Sequence, residues 1–309
     1  MTGTQVRAAT EADVAAIARV AVATGQDEEW AGSDPAYLDW LLAHGRLLVA
    51  VRDGVLAGFG ATRRIGAGPD AVSMLCDLFV HPDAHGQGIG QAMLAQLWRD
   101  EPRRMTFSSL HAHALPLYTR FGVDAWWPLL YVVGRVAALP VPVGWAGSSV
   151  TASGRAVAVS GRPVTAGGWS VAAGEPGQVA ALEQGWTGVD RAADHRAWAA
   201  RPHGFPALVL RDGRVLAAGT VAGQGDEYGI VHLVLAPQVT DADAAGAVLT
   251  LLASLDAPAG RAQVFLPAPH PAVRPLLEAG WRVSDMDLYM ASEPGLLDPR
   301  RAVPCPSAA

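Results

Sequence analysis

Residues 47–60 read LLVAVRDGVLAGFG, and residues 207–219 read ALVLRDGRVLAAG. Each is an apolar run, an Asp-Gly pair and a second apolar run, the pattern of a β-hairpin with a two-residue turn. The recurrence matters because the neighbours of both hairpins recur in the same order. Val6-Arg-Ala-Ala-Thr-Glu ahead of a helix-like stretch at 14–23 matches Val171-Ala-Ala-Gly-Glu ahead of a stretch at 179–184. Leu78-Phe-Val-His-Pro82 matches Leu233-Val-Leu-Ala-Pro237, and Arg120-Phe-Gly-Val123 matches Glu278-Ala-Gly-Trp281. The offset stays between about 155 and 165 residues, so one αβ unit is used twice.

Between the copies, residues 138–168 are rich in Pro, Gly, Ser and Val and read as a linker, with a short hairpin expected at 156–164 about Ser160-Gly161. The expected division is a first domain at 1–137, that linker, a second domain at 169–292 and an irregular tail at 293–309. Within the first copy, a strand at 74–80, a helix at 90–98 and a strand at 105–109 make a βαβ crossover, hence a parallel pair. Strands are also expected around 126–136. The remaining strands read as antiparallel, so the fold class is α+β, each domain a central mixed β-sheet flanked by helices.

Composition narrows the function. All 23 basic residues of the 309 are Arg, which removes Schiff-base lysines and the P-loop lysine. A net charge of −6 offers no basic footprint for nucleic acid. Two cysteines, Cys76 and Cys305, make neither a disulfide framework nor a cysteine metal site. The opening Met1-Thr-Gly-Thr-Gln has no basic n-region or apolar h-region, and the uncharged run after Val136 is broken by Pro140, Pro142 and Gly144. A cytoplasmic protein with no membrane span is expected.

The chemistry concentrates in Ala84-His-Gly-Gln-Gly-Ile-Gly-Gln91, which follows a strand and opens a helix whose Ile89, Met93, Leu94, Leu97 and Trp98 form one apolar stripe. Three glycines let backbone N–H groups converge at a helix N-terminus, which suits a phosphate or pyrophosphate; a tight turn without a ligand reads the same way. The spacing does not fit a dinucleotide fingerprint, since Gln91 stands where the third glycine belongs. It resembles motif A of the GNAT superfamily of acyl-CoA-dependent N-acyltransferases, [Q/R]-x-x-G-x-[G/A], here His85-Gly-Gln-Gly88-Ile-Gly90 with His in place of Gln or Arg. Asp77-Leu-Phe-Val-His-Pro82 looks like the family's strand leading into it. Ala114-Leu-Pro-Leu-Tyr118-Thr-Arg-Phe-Gly122-Val123 is similar to its A-x-x-x-Y-x-x-x-G-[F/V] segment.

The resemblance implies two tandem GNAT-like domains and acetyl-CoA as cosubstrate, with no metal. It places the cofactor arm on the backbone of Leu78, Phe79 and Val80, the pyrophosphate on Gly86, Gln87, Gly88, Ile89, Gly90 and Gln91, and His85 among the cofactor-binding residues with one cationic or amide contact fewer. His111 stands where relatives often have an Asn touching that arm. Tyr118 takes the general-acid position, although on residue type alone it reads as a core aromatic. Asp77 matches a carboxylate position and is the candidate base, beside a water chain to solvent or a plain backbone contact. Asp27, Glu28, Glu29 and Trp30 sit where the family builds its acceptor site, and carboxylates beside a Trp suit a cationic amine; a solvated loop reads the same way. His81, His85, His111 and His113 lack a metal-ligand spacing, and Ser108-Ser109 lacks a nucleophile elbow.

In the second copy, aligning Pro82 with Pro237 sets Asp241 opposite Gly86, Asp243 opposite Gly88 and Ala245 opposite Gly90. Leu276 falls at Tyr118 and His232 at Asp77. The copy resembles a degenerate domain that keeps the fold without the cradle. The expected activity is transfer of an acetyl group to a primary amine of a small molecule or peptide; the alternative is an acyl-CoA-binding sensor or scaffold.

Overall fold

The computed structural model describes residues 3–25, 35–139, 168–224, 227–255 and 260–307. The expected linker hairpin and the stretch from Asp27 to Trp30 lie outside them. The chain forms two compact units. One comprises Met1–Trp126, Tyr289–Leu296 and Pro306–Ala309; the other comprises Trp127–Leu288 and Leu297–Cys305. Among the described residues, no helix is long and apolar enough to cross a membrane.

The first unit runs β1 (Gln5–Ala8), α1 (Val14–Ala23), α2 (Pro35–His44), β2 (Arg46–Arg52), β3 (Val55–Ile65), β4 (Val72–Val80), α3 (Ile89–Leu97), β5 (Arg104–Ser108) and α4 (Ala114–Arg120). Asp53 and Gly54 both take positive φ, 51° and 79°, so the β2–β3 hairpin turns as its Asp-Gly pair requires. The sheet order is β1-β2-β3-β4-β5, antiparallel except for the β4–β5 pair. Nearly all of β3 is buried, because helices cover both faces of the sheet.

Near the chain start, Arg7 grips Asp13 through two hydrogen bonds of 2.7 Å, and the backbone N–H of Thr10 donates to the same carboxylate at 2.9 Å. The Arg7 bonds, against the opposing effect of burial and with help from Thr10, hold the Asp13 carboxyl far below the usual carboxylate range. A depressed carboxyl stabilises the fold above its unfolded pKa, and that stability is lost as pH falls through the folded value. Asp13→Asn is therefore expected to lower Tm by a few degrees near neutrality. Thermal melts should show the gap to wild type closing as pH drops below about 4.

The second unit runs β7 (Trp169–Ala173), α5 (Pro176–Thr187), α6 (Ala192–Ala200), β8 (Phe205–Arg211), β9 (Arg214–Gln224), β10 (Glu227–Leu235), α7 (Asp241–Ala253), β11 (Arg261–Pro267) and α8 (Val273–Glu278). Its hairpin repeats the first, with Asp212 and Gly213 at φ 53° and 78°. A short β13 (Ala302–Val303) pairs with β10.

The units do not follow a cut near residue 137. Instead of several strands around 126–136, one long strand, β6 (Asp124–Arg135), leaves the first copy, and its residues from Trp127 onward belong to the second unit. There it pairs with β11 from Leu129↔Pro267 to Arg135↔Arg261, and Val132 joins the core of Val248, Leu252, Val264 and Trp281. The last strand of the second copy, β12 (Arg282–Ala291), ends in the first unit. Ala291 accepts a 3.1 Å bond from the Trp126 indole there, and the Tyr289 ring packs on Phe107. The far end of each copy's closing strand, Trp127–Arg135 of β6 and Tyr289–Ala291 of β12, is thus counted with the other copy's body.

Gly134 shows how closely β6 is fitted. A Cβ added at this residue would come within 2.3 Å of the buried Trp281 ring. Gly134→Ala is expected to destabilise the second unit by about 3 kcal/mol, the upper end of overpacking costs. Denaturant unfolding followed by fluorescence should show the lowered midpoint.

Candidate active site

β4 is the strand that opens the site. It pairs with β5 through Ser73, Met74 and Leu75, and Thr106 Oγ1 donates to the Leu75 carbonyl at 3.0 Å. The β5 pairing stops there, while pairing with β3 continues to Val80. The β3–β4 register skips one residue between Leu75 and Asp77, so Cys76 is a bulge. A bulge adds local twist and bends its strand. Leu78, Phe79 and Val80 therefore run on beside β3, beyond the last β4–β5 register pair at Leu75.

The Gly-rich turn follows directly. Pro82–Ala84 forms a 3-10 turn, and the His85 ring N–H at Nε2 donates to the Val80 carbonyl at 2.8 Å. His85 thereby pins the turn to the end of β4. Gly86 and Gly88 hold φ of 73° and 76°, where a side chain strains the backbone, and a Cβ added at either would meet no protein atom. Gly88 is the N-cap of α3 and supplies no side-chain cap. The first α-helical bond runs from Ala92 N to Gly88 O, so the N–H groups of Ile89, Gly90 and Gln91 have no intrahelical acceptor. Ile89 packs inward while Gln91 is exposed. The result is an uncapped helix end behind two glycines, whose converging N–H groups suit an anionic group.

Asp77 is buried on β4 and accepts a 2.5 Å hydrogen bond from the Tyr37 hydroxyl of α2. Tyr118 is buried on α4 with its ring edge-on to Trp98 at 6.3 Å, and Gly122 closes that helix at φ 75°. Asp77 and Tyr118 are thus held by different helices. His111 is exposed and lies beside the His113 ring. Among the described residues, no cluster of His, Cys, Asp or Glu has the grouping that could hold a metal ion. Tyr37 is the site residue that pattern reading missed; an aromatic on a largely apolar helix reads as core.

Residues 43–123 match the family model of the acetyltransferase (GNAT) domain. This stretch of the first copy is similar to a GNAT domain. No curated protein matches it by sequence. A Pyrococcus horikoshii protein described as an acetyltransferase overlays with TM-score 0.65 at 13% identity, over 99% of this chain and 93% of that one. The tandem GNAT protein of the clavulanic acid pathway overlays at 0.55 and 14% identity, over 96% and 100%. A GCN5-related N-acetyltransferase from Sphaerobacter thermophilus overlays at 0.54 and 15% identity, over 96% and 98%. At these identities the likeness is one of fold, a tandem of GNAT-like domains.

The second GNAT-like copy corrects one alignment. Its N-cap is Thr240, three residues after Pro237, whereas Gly88 follows Pro82 by six. The turn is shorter, so Asp241 and Asp243 stand opposite Ile89 and Gln91 rather than Gly86 and Gly88. Thr240 Oγ1 accepts from the Asp243 N–H at 3.2 Å and donates to the Asp243 carboxylate at 2.9 Å, a side-chain cap where the first copy leaves an open end. Arg211 pairs with Asp243 and Arg300 with Asp241. Leu276, at the Tyr118 position, is fully buried.

His232 does stand at the Asp77 position, since β10 carries the same bulge, here at Val231. Its Nε2 lies 2.9 Å from Glu183 Oε1; the other Glu183 oxygen lies 2.7 Å from His195 Nε2, and Arg191 is 3.3 Å away. Burial pushes the Glu183 carboxyl up, but His232, His195 and Arg191 together pull it well below the ordinary range. Burial outweighs Glu183 at His232 and lowers that imidazole's pKa. The cluster is buried and Glu183 bridges both imidazoles, while His232 Nδ1 has no hydrogen-bond partner among the described residues; the bridge ties α5, α6 and β10 together.

Proposed function

We propose that the first unit is an acetyl-CoA-dependent N-acetyltransferase that acts on a primary amine, and that the second copy has kept the fold without the chemistry. The observation that carries this reading is the uncapped N-terminus of α3 beside a β4 that has parted from β5, set against the capped N-terminus of α7. The turn fits the cosubstrate, because the glycine positions leave open space at converging N–H groups. Gly86 to Gln91 would hold its pyrophosphate, and the backbone of Leu78 to Val80, beyond the last β5 pairing, its pantetheine arm. His85 would act through the turn it pins, and His111 would flank the arm.

In the transfer the amine nitrogen attacks the acetyl carbonyl carbon, the C–N bond forms and the C–S bond breaks. Backbone N–H groups of the β4 edge stabilise the oxyanion. Asp77 takes the proton that the amine nitrogen gives up. Tyr118 donates a proton to the departing thiolate, a role that suits a phenol able to keep its proton near neutrality. Asp27, Glu28, Glu29 and Trp30 would receive the cationic part of the acceptor.

A thiol-release assay with acetyl-CoA and a panel of amines, among them aminoglycosides, amino acids, polyamines and peptide N-termini, tests the reading. Turnover on at least one class is expected. Saturable binding with no release on any amine would replace it with the sensor.

A further inference from the structure

The Tyr37–Asp77 bond joins a helix to the bulged strand at the centre of the proposed site. Tyr37 is 3% exposed and Asp77 6%, and their 2.5 Å O···O distance lies in the range of charge-assisted O–H···O⁻ bonds. The donor is the phenol, because an ionised carboxylate only accepts. Fixing a carboxylate below a helix needs a polar group at one position of that helix, and Tyr37 supplies it from an otherwise apolar, buried face of Leu38, Trp40 and Leu41.

The second copy shows that this helix-to-strand position is built into the fold. Tyr37 and Trp40 on α2 correspond to His195 and Trp198 on α6, each 158 residues on. Asp77 corresponds to His232 across the shared bulge. Both copies therefore carry polar side chains at the two ends of one link, but with different chemistry. In the second copy Glu183 bridges two imidazoles and Arg191 closes the cluster. In the first copy, Ala18 of α1 stands where the alignment of Val6 with Val171 places Glu183, so the link is a phenol directly on a carboxylate. The charged residue of β3 on the same face, Arg63, is turned over the Trp40 ring at 4.9 Å.

We propose that Tyr37 is a positioning residue for acetyl transfer, holding Asp77 in one orientation as the anion that receives the amine proton. This rests on the reading of Asp77 as the base. A donor to the charged form favours that form, so removing it makes the carboxylate hold protons more tightly. Hydrogen bonds to charged groups correspond to a shift of about one to two pH units.

The test measures kcat against pH at saturating acetyl-CoA and amine in the full chain, together with NMR titration of a ¹³C-labelled Asp77 carboxyl. Tyr37→Phe should move the acidic limb and the carboxyl midpoint upward together by about one pH unit. Difluorotyrosine placed at position 37, a more acidic donor that keeps the ring, should move both downward and serves if the Phe variant folds poorly. If Asp77→Asn abolishes the acidic limb while neither change at position 37 moves it, the base stands and the role of Tyr37 is overturned. If Asp77→Asn leaves the limb in place, the base reading fails and the role of Tyr37 falls with it.

Discussion

Gly88→Asp is expected to raise the Kd for acetyl-CoA by more than about 100-fold while leaving the fold intact. Two effects add. Gly88 sits at φ 76°, where any side chain costs about 1–2 kcal/mol of backbone strain. A carboxylate at the N-cap would also face the pyrophosphate, and like charges near 4 Å repel by about 1–4 kcal/mol at surface dielectric. Together these amount to about 2–6 kcal/mol, a range centred above the ~2.8 kcal/mol that a 100-fold change requires. The new carboxylate would cap α3 much as Thr240 caps α7, so thermal melts should move little. Gly88→Ala carries the strain without the charge and should fall between. Equal losses in both variants would show that backbone shape alone governs the turn. Calorimetric titration reads all three proteins.

Tyr118→Phe should lower kcat by about 10²–10⁴, the usual size for loss of a general acid, with acetyl-CoA affinity nearly unchanged. The ring is kept, so its packing against Trp98 survives and stability should hold. The effect shrinks if the thiolate leaves unprotonated, since a free thiol ionises near pH 8.5. Single-turnover kinetics isolate the chemical step. An unchanged chemical rate would remove Tyr118 from the mechanism, and a large rise in Kd would make it a binding residue. Leu276→Ala, at the matching place in the second copy, is the control. It empties a fully buried site, so it should cost about 2–5 kcal/mol of stability and leave the chemical step alone.

What could be read ahead of the structure was local chemistry. Asp53-Gly54 and Asp212-Gly213 announced their hairpins because few other pairs tolerate two successive positive φ values. The glycines of 86–90 announced a strand-to-helix turn for the same reason. The repeat then set the two copies in register. Longer-range facts were not legible. The pairing of β6 with β11 depends on which of two similar sheets receives an apolar strand, and nothing in residues 124–135 names the partner. The short turn before α7 was hidden because Pro237 aligns with Pro82, and three missing residues leave no mark of their own. Thr240 followed by Asp243 was the available signal, since that spacing is a helix cap. Tyr37 and Glu183 escaped because a buried polar contact between distant helices and strands has no sequence spacing.

The most direct measurement is the stoichiometry of acetyl-CoA binding to the full chain by isothermal titration. The account predicts one site per chain, lost in Gly88→Asp and kept in Thr240→Ala. Two sites per chain, or a single site that survives Gly88→Asp, would contradict it.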